Sequence, residues 1–370
     1  MVSDTDRVVT VEGRVDPEEL GVTLPHEHTF IDLIEAWFDQ PESAVDRRLS
    51  REPVTLENLH RIRREPLNNK DNGRLESVEE AIEELDAFRN AGGSTVVDVT
   101  PKNTGGDPRR VRQIARATDL HFVQGTAFYT QSAHPDRISE ATIEELAEEF
   151  VSDVQEGIDG TDVRAGMVGE LGVSNRIMDD EEKVLRAGAR AAVRTGAPVN
   201  IHPPGRRPEA HQNYTYPTSK WALDVLDILE SEGLPAERVV MSHMDRTRFE
   251  LEPESLEYQR QVADRGTYLE YDLWGTDFFQ EKYNNGWPSD PERVDAVLEL
   301  VEDGYLENLL FSQDICMKIQ RTKYGGFGYG HILNNVRSML EHHGMADAEF
   351  QTIIEDNPQR MLTFDAPENQ

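Results

Sequence analysis

Basic residues are scarce in this sequence. Its 370 residues include 38 Lys+Arg against 71 Asp+Glu, a formal net charge of −33. Phosphate backbones are gripped through Lys and Arg, so no nucleic-acid partner is expected. The acid is spread along the chain, and EELAEEF, DDEEK and ESEGLPAE read as solvated helix faces, not as an acidic tail. Dispersed acid on this scale fits a halophilic protein, in which salt screens the self-repulsion; an ordinary acidic cytosolic protein is the second reading. Cysteine is nearly absent. Cys316 stands alone, which excludes an intrachain disulfide and a cysteine-based zinc cluster. No apolar run approaches the roughly 20 residues of a membrane span. The opening MVSDTDRVVTVEG lacks both the basic region and the apolar core of a signal peptide. A cytoplasmic protein with no membrane partner is expected. With no low-complexity linker and no solenoid repeat, residues 1–370 read as a single domain.

What the sequence does have is alternation. The β-branched runs VTLPHEH, STVVDVT, HFVQGTAFY, AGMVGELGV, PVNIHPP, RVVMSHMD, TYLEYDL and NLLFSQD are separated by amphipathic segments such as SVEEAIEELDAFRNAG and DEEKVLRAGARAAVRTG. Strands parted by helices pair in parallel through right-handed crossovers. Eight of them predict a closed α/β fold, the (β/α)8 TIM barrel, over about residues 20–362. A doubly wound open sheet competes, but no Gly-x-Gly-x-x-Gly follows the first strand. VVTVEGRV reads as a short N-terminal β-hairpin capping the barrel. The charged, irregular stretch from Phe38 to Gly73 reads as a long βα loop over the opposite face.

The first run ends in His26-Glu27-His28. Side chains at i and i+2 of a strand share a face, so both rings can reach one metal ion. Four further donors close other runs: Glu170 in GMVGE, His202 in PVNIH, His243 in RVVMSH and Asp314 in NLLFSQD. In such a barrel the carboxyl ends of the strands converge on one face, where active sites are built. Singly, each residue has an ordinary explanation: a satisfied structural histidine, a glutamate paired with an arginine, an aspartate capping a helix. Six of them on one face are better explained by a metal site. His60, His134, His211, His342 and His343 fall in loops or helices and are expected to be solvent-exposed. His121 begins its strand, at the wrong end for catalysis.

With LPHEH, GTAFY, GELG, NIHPPGR, SHMDR, YLEYDLWG, SQDICMKIQRTKYGGFGYGHIL and DNPQRML, the chain resembles the phosphotriesterase-related family of the amidohydrolase superfamily, its phosphotriesterase-like and lactonase branch. The resemblance implies a binuclear metal centre. His26, His28 and Asp314 would hold the more buried ion, and His202 and His243 the more exposed one. Glu170 takes the place of the carboxylated lysine that bridges the best-known phosphotriesterases. A hydroxide bridging the two divalent ions is the implied nucleophile. Asp314 would orient it and carry its proton to the leaving group as general acid/base, with simple ligation as the lesser role. Zinc leads among the ions, although manganese, cobalt and iron accept the same donors.

Substrate contacts follow from the same resemblance. Tyr129 stands where lactonases of the superfamily place a tyrosine near the metals. Arg206 and Arg246 would pair with an anionic substrate group through bidentate guanidinium geometry, or would clamp loop carboxylates. Tyr271 and Asp272 are expected to line the pocket, and KYGGFGYGHI to form an ordered loop over it. The family opens lactones, cleaves N-acyl amino acids and related amides, and slowly hydrolyses phosphotriesters. A small-molecule lactone or related carboxylic ester or amide is the first reading. Phosphotriesterase activity of the aryldialkylphosphatase type, or N-acyl amino acid amidase activity, is the alternative. A non-catalytic ligand-binding barrel is a remote third. A homodimer is implied by the resemblance alone.

Overall fold

In the computed structural model, eight parallel strands stand side by side in chain order. They are β1 (Thr23–Glu27), β2 (Thr95–Asp98), β3 (His121–Thr126), β4 (Met167–Gly172), β5 (Val199–His202), β6 (Val239–Met241), β7 (Tyr268–Tyr271) and β8 (Leu309–Phe311). The structure describes residues 4–38, 40–174, 176–203, 221–245, 256–276 and 288–366, and the backbone of 279–280 and 285–286. The row closes between β8 and β1, where Asp314 N donates to His26 O at 3.3 Å and His26 N donates to Ser312 Oγ at 3.1 Å.

A helix follows each strand in turn: α1 (Val78–Asn90), α2 (Pro108–Thr118), α3 (Ile143–Gln155), α4 (Asp179–Thr195), α5 (Trp221–Ser231), α6 (Glu257–Ala263), α7 (Asp290–Glu302) and α8 (Arg337–His342). Their starts are chemically marked. Ser77 accepts from Glu80 N at 3.1 Å ahead of α1. Thr142 and Glu145 bond reciprocally across the first turn of α3. Each arrangement satisfies N–H groups that the helix itself cannot. Gly188 lets α4 lie close on β4, since a Cβ there would meet Leu171 Cδ1 at 2.7 Å.

Side-chain alternation along the strands layers the barrel interior. Val97, Val123, Met167, Val240, Tyr268 and Leu310 form one buried apolar cluster with Val8, Leu20, Met361 and Leu362. Val8 belongs to the predicted hairpin, in which Val8–Thr10 pairs antiparallel with Gly13–Val15. The hairpin and the last helical turn therefore close the amino-terminal end of the barrel. Two residues beyond the cluster on the same faces stand Ser242, Glu270 and Ser312, a buried polar layer. The long stretch after β1 is ordered, with helices at Ala44–Leu49 and Leu59–Ile62. It is strapped to the chain after β8, because buried Asn72 accepts from Ile319 N through Oδ1 and from Lys318 N through its carbonyl, both at 3.0 Å. Among the described residues no helix is long and apolar enough to cross a membrane.

Candidate metal centre

Above the polar layer the structure brings together His26, His28, Glu170, His202, His243 and Asp314, all buried. His26, His28 and Asp314 offer donor atoms within 4.8 Å of one another, as do His26, Glu170 and His243. His28 Nε2 lies 3.1 Å from Asp314 Oδ1 and 3.6 Å from Glu170 Oε1. His202 faces Glu170 with Nδ1, at 2.8 Å from Oε2. His243 Nε2 lies 3.2 Å from that same His202 nitrogen and 3.9 Å from Asp314 Oδ2. Glu170 thus sits between the two histidine pairs, Oε1 toward His28 and Oε2 toward His202 and His26. His243 and Asp314 reach the cluster from left-handed backbone, with φ of 53° and 47°, a conformation that non-glycine residues adopt only where their surroundings impose it.

Each imidazole is turned by a partner on its other nitrogen. His26 Nδ1 meets Glu270 Oε2 at 2.9 Å, Ser242 Oγ at 3.0 Å and Asp272 Oδ2 at 3.1 Å. His28 Nδ1 meets Thr100 Oγ1 at 2.9 Å, and Thr100 N in turn donates to Asp98. His243 Nδ1 meets Asp272 Oδ1 at 2.7 Å. Metal-binding histidines are oriented in this way, the outer N–H held so that the inner lone pair points at the ion. The inner nitrogen of His26 supplies the test of fit. Nε2 is buried with no hydrogen-bond partner, 3.7 Å from Glu170 Oε2 and 3.9 Å from Asp314 Oδ1. A buried ring nitrogen left unpartnered between two carboxylates is costly unless a cation fills the gap. The residues present fit divalent cations.

The electrostatics agree. Burial opposes charge on His26, but Asp272 and Glu270 outweigh it and hold the imidazole well above its ordinary value. Burial likewise opposes charge on His28 and His243, whose pKa values are nonetheless raised, chiefly by Asp314 and Glu170 and by Asp272 respectively. For Glu170 burial is again the adverse effect, outweighed by His202, His28 and His26, which lower its pKa to about 2. A pocket this rich in ionised carboxylate recruits positive charge. Protons supply it where cations do not.

The two tyrosines expected to contact substrate fall in different places. Tyr271 follows the inward Glu270 by one residue, so alternation sends its ring outward into the core between strands and helices, and its hydroxyl donates to Gln259 Oε1 at 2.5 Å. It does not line the pocket. Tyr129 is at the site, but its hydroxyl lies 2.9 Å from His202 Nε2 and accepts from Trp37 Nε1 at 2.9 Å. Burial, and then Glu170, push its phenol well up, so it stays neutral. Arg206, Arg246 and His211 lie outside the described residues. His134, expected in solvent, is half-buried with Nε2 at 2.6 Å from Tyr129 O. Sequence reasoning assigned no task to Glu270, Thr100 or Trp37. The in-phase spacing of Glu270 and Asp272 in YLEYDL was a usable signal for the first, whereas nothing periodic marks Trp37.

The profile of the phosphotriesterase family matches residues 6–362. A protein described as N-acetyltaurine hydrolase from Tetraodon nigroviridis is 38% identical over 361 residues, 97% of this chain and 98% of that one. Among solved structures, a resiniferatoxin-binding protein from Rhodobacter sphaeroides superposes with a TM-score of 0.90 at 35% identity, covering all of both chains. A lactonase from Listeria monocytogenes superposes with a TM-score of 0.75 at 25% identity, covering 97% of this chain and all of that one. The chain belongs to the phosphotriesterase family and is a hydrolase.

Proposed function

We propose that this hydrolase cleaves the amide bond of N-acyl amino acids and N-acyl aminosulfonates at a binuclear metal centre. The observation that carries the reading is the ring of buried donors around the orphaned His26 Nε2. His26, His28 and Asp314 would hold one ion, His202 and His243 the other, and Glu170 would bridge them. Zinc is the first choice, since histidine and carboxylate donors build its catalytic sites. Two divalent cations bound there would lower the pKa of a water and polarise the scissile carbonyl. Asp314 then takes a proton from the attacking water and delivers it to the amide nitrogen as the C–N bond breaks, so the products are a carboxylate and a free amine. Tyr129 would act through His202, fixing its Nε2 so that Nδ1 faces inward. Arg206 and Arg246 would take the anionic end of the substrate.

Preference for an amide over a lactone rests on the relative described as N-acetyltaurine hydrolase, which spans nearly the whole chain. The Listeria structure, at lower identity, supports lactone opening as the second reading. A cytoplasmic homodimer completes the proposal, and its adaptation to high salt is supported by the dispersed net charge of −33.

The test compares the metal-loaded protein in high salt on matched panels of lactones and N-acyl compounds. The expected result is a kcat/KM for an N-acyl amino acid or N-acetyltaurine that exceeds every lactone. Faster turnover of lactones would overturn the amide assignment.

A further inference from the structure

The middle residue of His26-Glu27-His28 belongs to neither histidine pair, yet its carboxylate is fully buried. Alternation sends it away from the face that the imidazoles share. There it grips the backbone on both sides of Asp314. Gln313 N donates to Oε1 and Ile315 N to Oε2, each at 2.8 Å, and Ser312 Oγ donates to Oε1 at 2.8 Å. Between those two N–H groups Asp314 holds its φ of 47°. Its own N–H is tied to His26 O at 3.3 Å, and its carbonyl accepts from Gln320 Nε2 at 2.8 Å.

Aspartate is among the few non-glycine residues that tolerate left-handed backbone, and here that conformation is fixed from both sides, since the residue before and the residue after it end on one carboxylate. We propose that Glu27 is a positioning residue, which locks Asp314 in the left-handed conformation that turns its carboxylate toward His28. The proposal rests on the role given to Asp314 under Proposed function. Its chemistry is specific to a carboxylate. Two acceptor oxygens are needed for two N–H donors, and a carboxylate offers acceptors only. Glutamine would set its own NH2 against one of the N–H groups, and aspartate is one methylene short. The motif therefore joins the first strand to the last: its two histidines and the residue between them serve the same centre from opposite faces.

The test is a double-mutant cycle of E27Q and D314N in the metal-loaded full-length chain. One readout is kcat and KM on the best N-acyl substrate. The other, independent of turnover, is the number of metal ions retained per chain after dialysis. E27Q is expected to lower kcat at least about tenfold with KM within about threefold, and to lower metal retention. Once D314N is present, E27Q should add less than about a twofold further loss in either readout. Losses that multiply would reduce Glu27 to general support of the fold and overturn the proposal. Wild-type kcat and retention in E27Q would overturn it equally. If E27Q fails to fold, S312A, which removes one of the three hydrogen bonds to Glu27, carries the same cycle: a smaller, non-additive loss is expected, and an additive one overturns the proposal. If the wild-type chain cleaves nothing in the panel, the amide reading fails, while metal retention still decides the role of Glu27.

Discussion

At the amino-terminal end of the barrel, Val97, Val123, Met167, Val240, Tyr268 and Leu310 fill the interior against Val8, Leu20, Met361 and Leu362. Toward the carboxyl ends of the strands the filling becomes Ser242, Glu270 and Ser312, and above that layer stand the six donors. Both ends are buried, so exposure does not separate them. What separates them is whether burial is self-sufficient. The apolar end needs only its own packing. The carboxyl end gathers Glu170, Glu270, Asp272 and Asp314 in a buried pocket, where unpaired carboxylates are costly and must be answered by histidines, hydrogen bonds or cations. Stability is supplied at one end, and part of it is given up at the other to hold a site ready.

Substitutions can break this contrast from either side. The largest effect is expected from D314N, which keeps size and removes the proton-carrying carboxylate. Turnover should fall by about 10²–10⁴-fold while the fold remains, as steady-state kinetics and circular dichroism would report; wild-type activity would remove the shuttle role. L310A, at the other end, should cost about 2–5 kcal/mol in denaturant unfolding with the metal content of the folded protein unchanged. D272N, which weakens the hold on His243 Nδ1 and His26 Nδ1, should weaken metal affinity about 10–100-fold in a competition titration, with a much smaller effect on folding.

The smallest effect concerns pH. In metal-stripped protein His26, His28 and His243 have pKa values raised above 6.5 by neighbouring carboxylates. A raised folded-state pKa contributes stability that is fully present below the unfolded value and is lost as pH rises through the folded one. The melting temperature of the stripped protein should therefore fall as pH is raised above about 6.5. The loaded protein should gain stability over the same interval, because deprotonated histidines bind the ions. Parallel curves for the two forms would mean that protons and cations do not compete for this pocket.

The eight strands were legible because β-branched runs alternate with helix-period segments, and the donors because each closes such a run. The layering behind them was legible only in part. Asp272 was placed near the pocket, but its bonds to His243 and His26 connect strands distant in sequence, and no spacing reveals such a pairing. Tyr271 shows the opposite failure. Its neighbour Glu270 faces inward, so strict alternation along YLEYDL would have sent the tyrosine outward. Trp37 arrives from an irregular excursion whose course is set by tertiary packing, such as the bonds of Asn72 to residues 318 and 319. Glu27 was visible in the motif from the start, but its partners lie on the last strand's exit, 286 and 288 positions away.

The most direct measurement of the account is a titration of metal-stripped protein with Zn²⁺, following binding by calorimetry and N-acyl amide hydrolysis on the same samples. Two ions should bind per chain, with activity rising as the pair is completed, and that binding should be lost when Glu170 is replaced by Gln. Full turnover in the stripped protein, or unchanged binding in E170Q, would contradict it.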